Sequence, residues 1–375
     1  MPTPVGFLRH NFLLRSETFI YNSLRAVADR GAYDVRVFAS RRLLAERFPW
    51  DDVTLLHGLP RLSYHMTRWA PPYRRWARSV RLIHAHLGQT GPFAMAGAAA
   101  ANIPFVVSYY GQDVILHRSS ERFGAWAWWY VLLRKRVFAR AAKILVLSRQ
   151  MAGALEAQGC PPEKLEIVRL GVDLARFDVP HVASSNRALR VLMVGREVDK
   201  KGFDDGLRAC RGLVDRGIPT KVVLLGTGGP LQAELRALAI ELALDITYPD
   251  PASSVPAAMA AADVLLVPSR TAANGDEEGT PTVIIEGGAA RLPVVSTRHA
   301  GIPEQVEDGV TGLLVGERDV AGLTAALVAL ASDPARRAAM GEAARAKMQR
   351  EYALAAHGER LEQIYSDVLS RGGAA

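Results

Sequence analysis

Cysteine is scarce in this chain: its 375 residues include only Cys160 and Cys210. Two isolated thiols form neither a metal-ligand spacing nor a disulfide framework. This excludes a stapled extracellular scaffold and points to a reducing compartment, the cytoplasm. A signal peptide is not expected either, because the apolar start at Met1–Phe7 is short and is succeeded by the charges of Arg9, Arg15 and Glu17. Residues 87–112 carry no formal charge and exceed the length of a bilayer span. Asn102-Ile103-Pro104 breaks that stretch, and its alanines and glycines suit a packed helix followed by a strand. No Asp-x-Asp pair stands in a suitable loop to hold a divalent ion. His84 and His86 have no further ligand at zinc spacing. The turn Gly226-Thr227-Gly228-Gly229-Pro230 lacks both the P-loop lysine and the G-x-G-x-x-G spacing.

What is present is an ordinary globular composition, 49% hydrophobic and 22% charged, on a chain long enough for two domains. The net charge of +8 is unevenly spread: residues 1–180 hold 25 Lys and Arg against 13 Asp and Glu, or +12, and the rest hold 21 against 25, or −4. An acidic partner is therefore expected to meet the first half only. Residues 61–81 interleave Arg61, Arg68, Arg74, Arg75, Arg78 and Arg81 with Tyr64, Trp69, Tyr73 and Trp76. Residues 122–143 repeat the pattern, with Trp126, Trp128, Trp129 and Tyr130 leading into Arg134, Lys135, Arg136, Arg140 and Lys143. Two readings fit both stretches: contact with an anionic membrane surface, or amphipathic helices whose aromatics belong to the core. No nucleic-acid-binding module accompanies the charge, and nucleic acid is not expected as a partner.

Apolar runs alternate with helical segments in the rhythm of parallel α/β sheets. Strands are expected at Pro4–Leu8 and Asp34–Ala39, in Leu82–Gly88 ending in its two histidines, in Phe105–Val114 with its exit loop, at Lys143–Ser148, in Arg190–Arg196 running into a Gly turn, in Lys221–Pro230 with its Gly-rich exit, at Val264–Val267, in the apolar run before Ser296-Thr297, and in Asp308–Val315. Ser16 is a candidate N-cap for the first helix. The Pro- and Ser-containing segment 179–189 reads as a linker. It separates an N-terminal domain, 1–180, from a C-terminal domain, 187–355, with a last helix in 356–375.

The most informative stretch runs from Ala262 to Pro303. A buried strand stops at Pro268-Ser269, a polar loop comes next, and Glu278-Gly279-Thr280-Pro281 turns into a helix over 282–291. A helix start offers free N–H groups and a positive dipole end to an anion. Glu278 sits just before it, and Glu286 about two turns up the same helix. A phosphate-seeking turn flanked by two carboxylates suits a ligand bearing both phosphate and hydroxyl groups.

The Glu-x7-Glu spacing, the Glu-Gly-x-Pro turn, the Gly-Gly-Ala-Ala and Leu-Pro-Val-Val-Ser-Thr segments, Gly195-Arg196 with Lys201-Gly202, and Asp308-Gly-Val-Thr-Gly-Leu-Leu-Val together resemble the retaining glycosyltransferases of family 4. Within that family the resemblance is to the bacterial polysaccharide-assembly branch. It implies the GT-B fold, two facing Rossmann-like α/β domains with a cleft, and transfer of a sugar from a nucleotide diphosphate sugar to a glycan or lipid-linked acceptor, with retention and without a metal or other cofactor. Arg196 and Lys201, with Lys200 as the adjacent alternative, would grip the diphosphate. Glu278 would bind the transferred sugar and Glu286 the ribose. Gly279, Thr280, Pro281, Gly226, Gly228 and Tyr248 would line the donor site. Ser16, Glu17, His86 and Asp113 would lie on the acceptor side. Where relatives have His-Gly-x-Asp this chain has Tyr110-Gly111-Gln112-Asp113, so Tyr110 takes the position of a histidine near the reacting centre. The resemblance also implies a cytoplasmic protein, peripheral at the inner face of the plasma membrane. A non-catalytic nucleotide-sugar-binding or membrane-associated scaffold of the same fold is the alternative. A phosphorylase or epimerase of that fold is a third reading, and no sign of a pyridoxal lysine supports the phosphorylase.

Overall fold

The computed structural model describes residues 1–14, 17–68, 70–115, 125–181, 188–226, 228–250 and 254–372. Ser16, Trp69 and the side chains of Trp126, Trp128 and Trp129 lie outside what is described. The chain forms two compact units, one of Met1–Gly171 with Leu354–Ala375, the other of Val172–Ala353.

Among the described residues the main sheet of the first unit has seven parallel strands: β1 (Thr3–Leu8), β2 (Tyr33–Ala39), β3 (Val53–Leu55), β4 (Leu82–His86), β5 (Phe105–Ser108), β6 (Lys143–Val146) and β7 (Leu165–Ile167). Their order is β3-β2-β1-β4-β5-β6-β7. The strands read as continuous apolar runs because helices cover both faces of such a sheet. Helices α1 (Thr18–Ala28), α2 (Gly58–Thr67), α3 (Pro71–Ala77), α4 (Gly91–Ala101) and α5 (Ala125–Arg140) belong to this unit. The uncharged stretch 87–112 contains α4 and β5, the helix and strand its small residues suggest. Among the described residues no helix is long and apolar enough to cross a membrane.

The structure describes the side chains of four of the Trp and Tyr residues in the two basic stretches. Tyr64, Tyr73, Trp76 and Tyr130 are 0%, 2%, 4% and 2% exposed, and the first three rings pack around Phe38. These four are core residues, as the amphipathic-helix reading of the two stretches has it. The exposed apolar groups of α2 are Leu59, Leu62 and Met66, 80%, 57% and 70% exposed.

The second unit holds six parallel strands: β8 (Leu189–Gly195), β9 (Thr220–Gly226), β10 (Ile246–Thr247), β11 (Val264–Val267), β12 (Val294–Thr297) and β13 (Gly312–Val315). Their order is β10-β9-β8-β11-β12-β13. Val264 to Val267 are all buried, as a central strand covered on both faces requires. Helices α6 (Phe203–Val214), α7 (Gln232–Glu241), α8 (Thr282–Ala289), α9 (Val320–Ser332) and α10 (Pro334–Glu351) flank the sheet. Helix α8 ends two residues before the 291 expected from the sequence, and Pro281 stands at its N-cap.

The division between units falls at 171/172 and 353/354, not at 180/187 and 355/356. The segment after Gly171 folds with the second unit. Leu174 and Phe177 are buried, and Asp178 pairs with Arg291 at 2.6 Å and Arg345 at 3.4 Å. Linker composition marks exposed polar residues, whereas the boundary lies where packing partners change.

The last helix, α11 (Leu354–Gly372), belongs to the first unit and packs on α1. Polar contacts hold it there: His357 Nε2 lies 2.8 Å from Ser23 Oγ, His357 Nδ1 2.7 Å from Arg169 O, and Tyr365 OH 2.6 Å from His84 Nδ1. Burial lowers the pKa of His84 to about 3 and that of His357 to about 4, so both are neutral at pH 7.

Candidate active site

In a parallel sheet every strand exit lies on one edge, and ligands gather where the strand order reverses direction. In the second unit that reversal is between β8, whose neighbours β9 and β10 lie to one side, and β11, whose neighbours β12 and β13 lie to the other. The exits of β8 and β11 are residues 196–202 and 268–281. Gly202 sets their approach. Its φ is +59°, and a Cβ there would stand 2.0 Å from the Pro268 carbonyl oxygen, so only glycine fits. The turn closed at Gly202 carries the two lysines, and they diverge. Lys200 is 8% exposed, with Nζ 3.1 Å from Asp276 Oδ1 and donating at 3.0 Å to Glu277 O. Lys201 Nζ stands 2.7 Å from Glu278 Oε1. That contact is an ion pair set off the axis of a hydrogen bond, and Oε1 accepts no aligned donor among the described residues.

Burial raises the Glu278 carboxyl, but Lys201 and Lys200 overcome this and hold its pKa below the ordinary range. Glu278 is therefore a charged carboxylate at pH 7. Glu286 differs: burial raises its pKa to about 7, only partly countered by Arg176, Lys201 and the Thr282 hydroxyl. Lys201 thus acts on both carboxylates and joins them into one site. Helix α8 starts between them with no side-chain cap. The Thr280 hydroxyl next to it is buried without a partner among the described residues. The uncapped N–H groups and Lys201 offer donors and positive charge suited to phosphate oxygens.

The loop before Glu278 is pinned throughout its length. Arg270, 6% exposed, contacts Asp199 at 2.7 Å, Asp204 at 3.0 Å and Asp205 at 2.6 Å. Asp199 also accepts from Ala273 N at 2.8 Å. Glu317 accepts from Thr271 N at 2.9 Å and lies 2.6 Å from His299 Nδ1, while Glu278 N donates at 3.0 Å to His299 Nε2. Sequence reasoning missed Arg270, His299 and Glu317, which stand on three different strand exits. It also missed Glu197, which is 2% exposed and packed so tightly beneath Gly226 that a Cβ there would fall 1.8 Å from its Oε1.

The remaining predicted residues are placed unequally. Arg196 is exposed, with no side-chain partner among the described residues. Gly226 ends β9, and Gly228 adopts φ +87° with open space beside it. Gly279 is half-buried, and Pro281 O accepts from Gln305 Nε2 at 3.1 Å. Tyr248 comes just after β10, its ring 4.3 Å below the Arg236 guanidinium.

In the first unit the expected acceptor-side residues are engaged by the scaffold. Glu17 pairs with Arg9 at 2.5 Å and accepts from Leu14 N at 3.0 Å. It, not Ser16, occupies the cap position of α1. Asp113 accepts from Gly88, Tyr110 and Gly111 N at 2.7, 2.9 and 2.9 Å, which fixes the turn after β5. Tyr110 OH lies 2.7 Å from His86 Nδ1, facing this unit's interior. His86 is fully buried beside Arg9 at the β1/β4 reversal, and its Nε2 has no partner among the described residues. Among the described residues no group of His, Cys, Asp and Glu could hold a metal ion.

Two parallel-sheet units, the second with a basic and acidic cluster at its strand reversal, define a Rossmann-like nucleotide-binding architecture. Residues 16–176 match the family described as Glycosyltransferase Family 4, and residues 179–347 match Glycosyl transferases group 1. A glycosyltransferase assigned to colanic acid biosynthesis in Salmonella typhimurium, WcaL, is 31% identical, the match covering 86% of this chain and 89% of that one. A GDP-mannose-dependent phosphatidylinositol monomannoside mannosyltransferase of Mycolicibacterium smegmatis is 30% identical over 89% of this chain and 90% of its own. The solved structure of Anabaena Alr3699/HepE with UDP and glucose aligns with a TM-score of 0.77 at 19% identity, over 97% of this chain and 100% of that one. The chain belongs to the group 1, family 4 glycosyltransferases and has their GT-B fold. It is a glycosyltransferase that uses a nucleotide sugar.

Proposed function

We propose that the protein transfers a sugar, with retention and without a metal, from a nucleotide diphosphate sugar to a glycan or lipid-linked acceptor in cell-surface polysaccharide synthesis. The observation that carries this is the Lys201–Glu278 ion pair at the uncapped start of α8, with Glu286 in reach of the same lysine. The diphosphate takes Lys201, Arg196 and the helix start, Glu278 accepts from hydroxyls of the transferred sugar, and Glu286 accepts from the ribose hydroxyls. Cationic side chains then stabilise the departing diphosphate, the task a divalent ion performs elsewhere. The relatives named above include both a GDP-sugar user and a UDP complex.

Glu286 gives the direct test. Its raised pKa means that ionisation opposes folding: the penalty is absent below the unfolded value near 4.5 and grows as pH rises toward 7. Glu286→Gln should therefore raise the melting temperature of the free protein at pH 8, by the equivalent of about 3 kcal/mol. The variant should also lose the thermal shift that millimolar UDP- or GDP-sugars give the parent. A variant that keeps the nucleotide-sugar shift rules out the ribose role.

The acceptor's membrane would be met by α2. Leu59, Leu62 and Met66 share one helical face, opposite the buried Tyr64, and α3 adds exposed Arg74 and Arg75, with Arg78 just beyond it. On this reading the protein works peripherally at the inner face of the plasma membrane. Leu62→Glu with Met66→Glu is expected to abolish co-sedimentation with phosphatidylglycerol vesicles. Equal sedimentation of parent and variant would contradict it.

A further inference from the structure

The ring of His299 is 1% exposed and joins two elements of the second unit. Its Nε2 accepts from the Glu278 backbone N–H at 3.0 Å, and an atom that accepts carries no proton. The other ring nitrogen must then bear the hydrogen of the neutral imidazole and donate it to Glu317 Oε1, 2.6 Å away. Glu317 is suited to that task. Burial raises its carboxyl, but the Thr271 N–H and His299 prevail and hold it in the charged, accepting form. The order of donors is therefore fixed along the whole line, from Glu278 N–H to His299 to Glu317.

We propose that His299 and Glu317 are positioning residues for transfer: the Nδ1–H tautomer of His299, selected by Glu317, anchors the backbone of Glu278 and so sets where its carboxylate meets the sugar. Neither residue touches the reacting atoms. The Glu278 side chain is held by Lys201, and that hold loosens when a diphosphate competes for the lysine. The backbone anchor does not depend on the lysine. It keeps Glu278 in place when Lys201 turns to phosphate, which the proposed use of both groups in one cycle requires. A displacement of about 1 Å in such a group lowers a rate by as much as about 10²-fold.

The inference rests on the reading of Glu278 as the sugar-binding carboxylate, and paired variants separate it from that reading. Gln places a polar atom near the His Nε2 position, and Asn near the Nδ1 position. His299→Gln thus keeps an acceptor for Glu278 N–H and loses the donor to Glu317, while His299→Asn does the reverse. Hydrogen exchange of the Glu278 amide, which needs no substrate, should stay slow in His299→Gln and become fast in His299→Asn. With a nucleotide sugar, His299→Asn should lose kcat by about 10²-fold at nearly unchanged donor KM, and His299→Gln about tenfold less. A slow Glu278 amide in His299→Asn overturns the anchor. So does an equal kcat loss in both variants that tracks their melting temperatures. Exchange that behaves as stated in a protein without nucleotide-sugar turnover leaves the anchor standing and removes the reading of Glu278.

Discussion

Lys201→Ala is expected to lower kcat by about 10²–10³-fold, the range found when one preorganised donor is removed from a transition-state site. Two effects converge. The diphosphate loses a point charge, and Glu278 loses the cation that overcomes its burial. Lys200 cannot substitute, because Asp276 and the Glu277 carbonyl hold it. Glu278 should then take up a proton at pH values where it is normally charged, and the protein should lose stability through a buried, unpaired carboxyl. Glu278→Gln in the same background tests the division of labour. The double variant should recover melting temperature relative to Lys201→Ala, because the orphaned charge is gone, yet remain as inactive. Arg196→Ala offers the contrast: with no side-chain partner to strand, it should leave the melting temperature unchanged while turnover falls about 10²-fold. Near-normal turnover of both single variants, or recovery of activity with stability in the double, would remove the phosphate assignment.

The unequal legibility of this chain has physical causes. Strands such as Val264–Val267 were visible because a central parallel strand is apolar on both faces. Glu278 and Lys201 were visible because each sits beside a turn signal, Gly279-Thr280-Pro281 or Gly202, and Glu286 through its spacing from Glu278. Position alone could not separate Lys200 from Lys201; the 3₁₀ turn before Gly202 sends one to Asp276 and the other to Glu278. His299 and Glu317 leave no local trace, since their meaning lies in partners on other strand exits. The aromatics at 64, 73 and 76 left two readings open for a related reason. Helices buried on one side place Arg and Tyr side by side in sequence but on opposite faces in space. Tyr110 and Asp113 occupy positions where a ligand role was expected, and the structure engages both internally, with His86 and with three backbone N–H groups. A motif position specifies a place on the chain, and the neighbours decide what the side chain does there.

Those neighbours also make the first unit acid-labile. His84, His86 and His357 are buried and neutral, with pKa values lowered by desolvation first, to about 3 for His84 and about 4 for His357, and well below the ordinary value for His86. A histidine whose folded pKa is depressed below its unfolded value near 6.5 gives its full stability above pH 6.5 and loses it as pH falls toward the folded pKa. At pH 5 His84 and His357 have each lost about 2 kcal/mol. Two or three together approach the whole stability of a typical domain. All six tryptophans, Trp50, Trp69, Trp76, Trp126, Trp128 and Trp129, belong to the first unit, so their fluorescence reports its unfolding alone. The urea midpoint of that signal should be constant above pH 7 and drop steeply between pH 6.5 and 5. Other carboxylates and the positive charge of this half also respond to acid, and His357→Gln separates them. It removes one titrating group, and the slope of stability against pH should flatten by about 1.4 kcal/mol per unit. The variant is less stable than the parent at pH 7.5, because it loses the contacts to Arg169 O and Ser23, and the difference narrows as pH falls. A tryptophan midpoint equal at pH 5 and 7.5, or an unchanged slope in His357→Gln, would show that these histidines do not control the acid response.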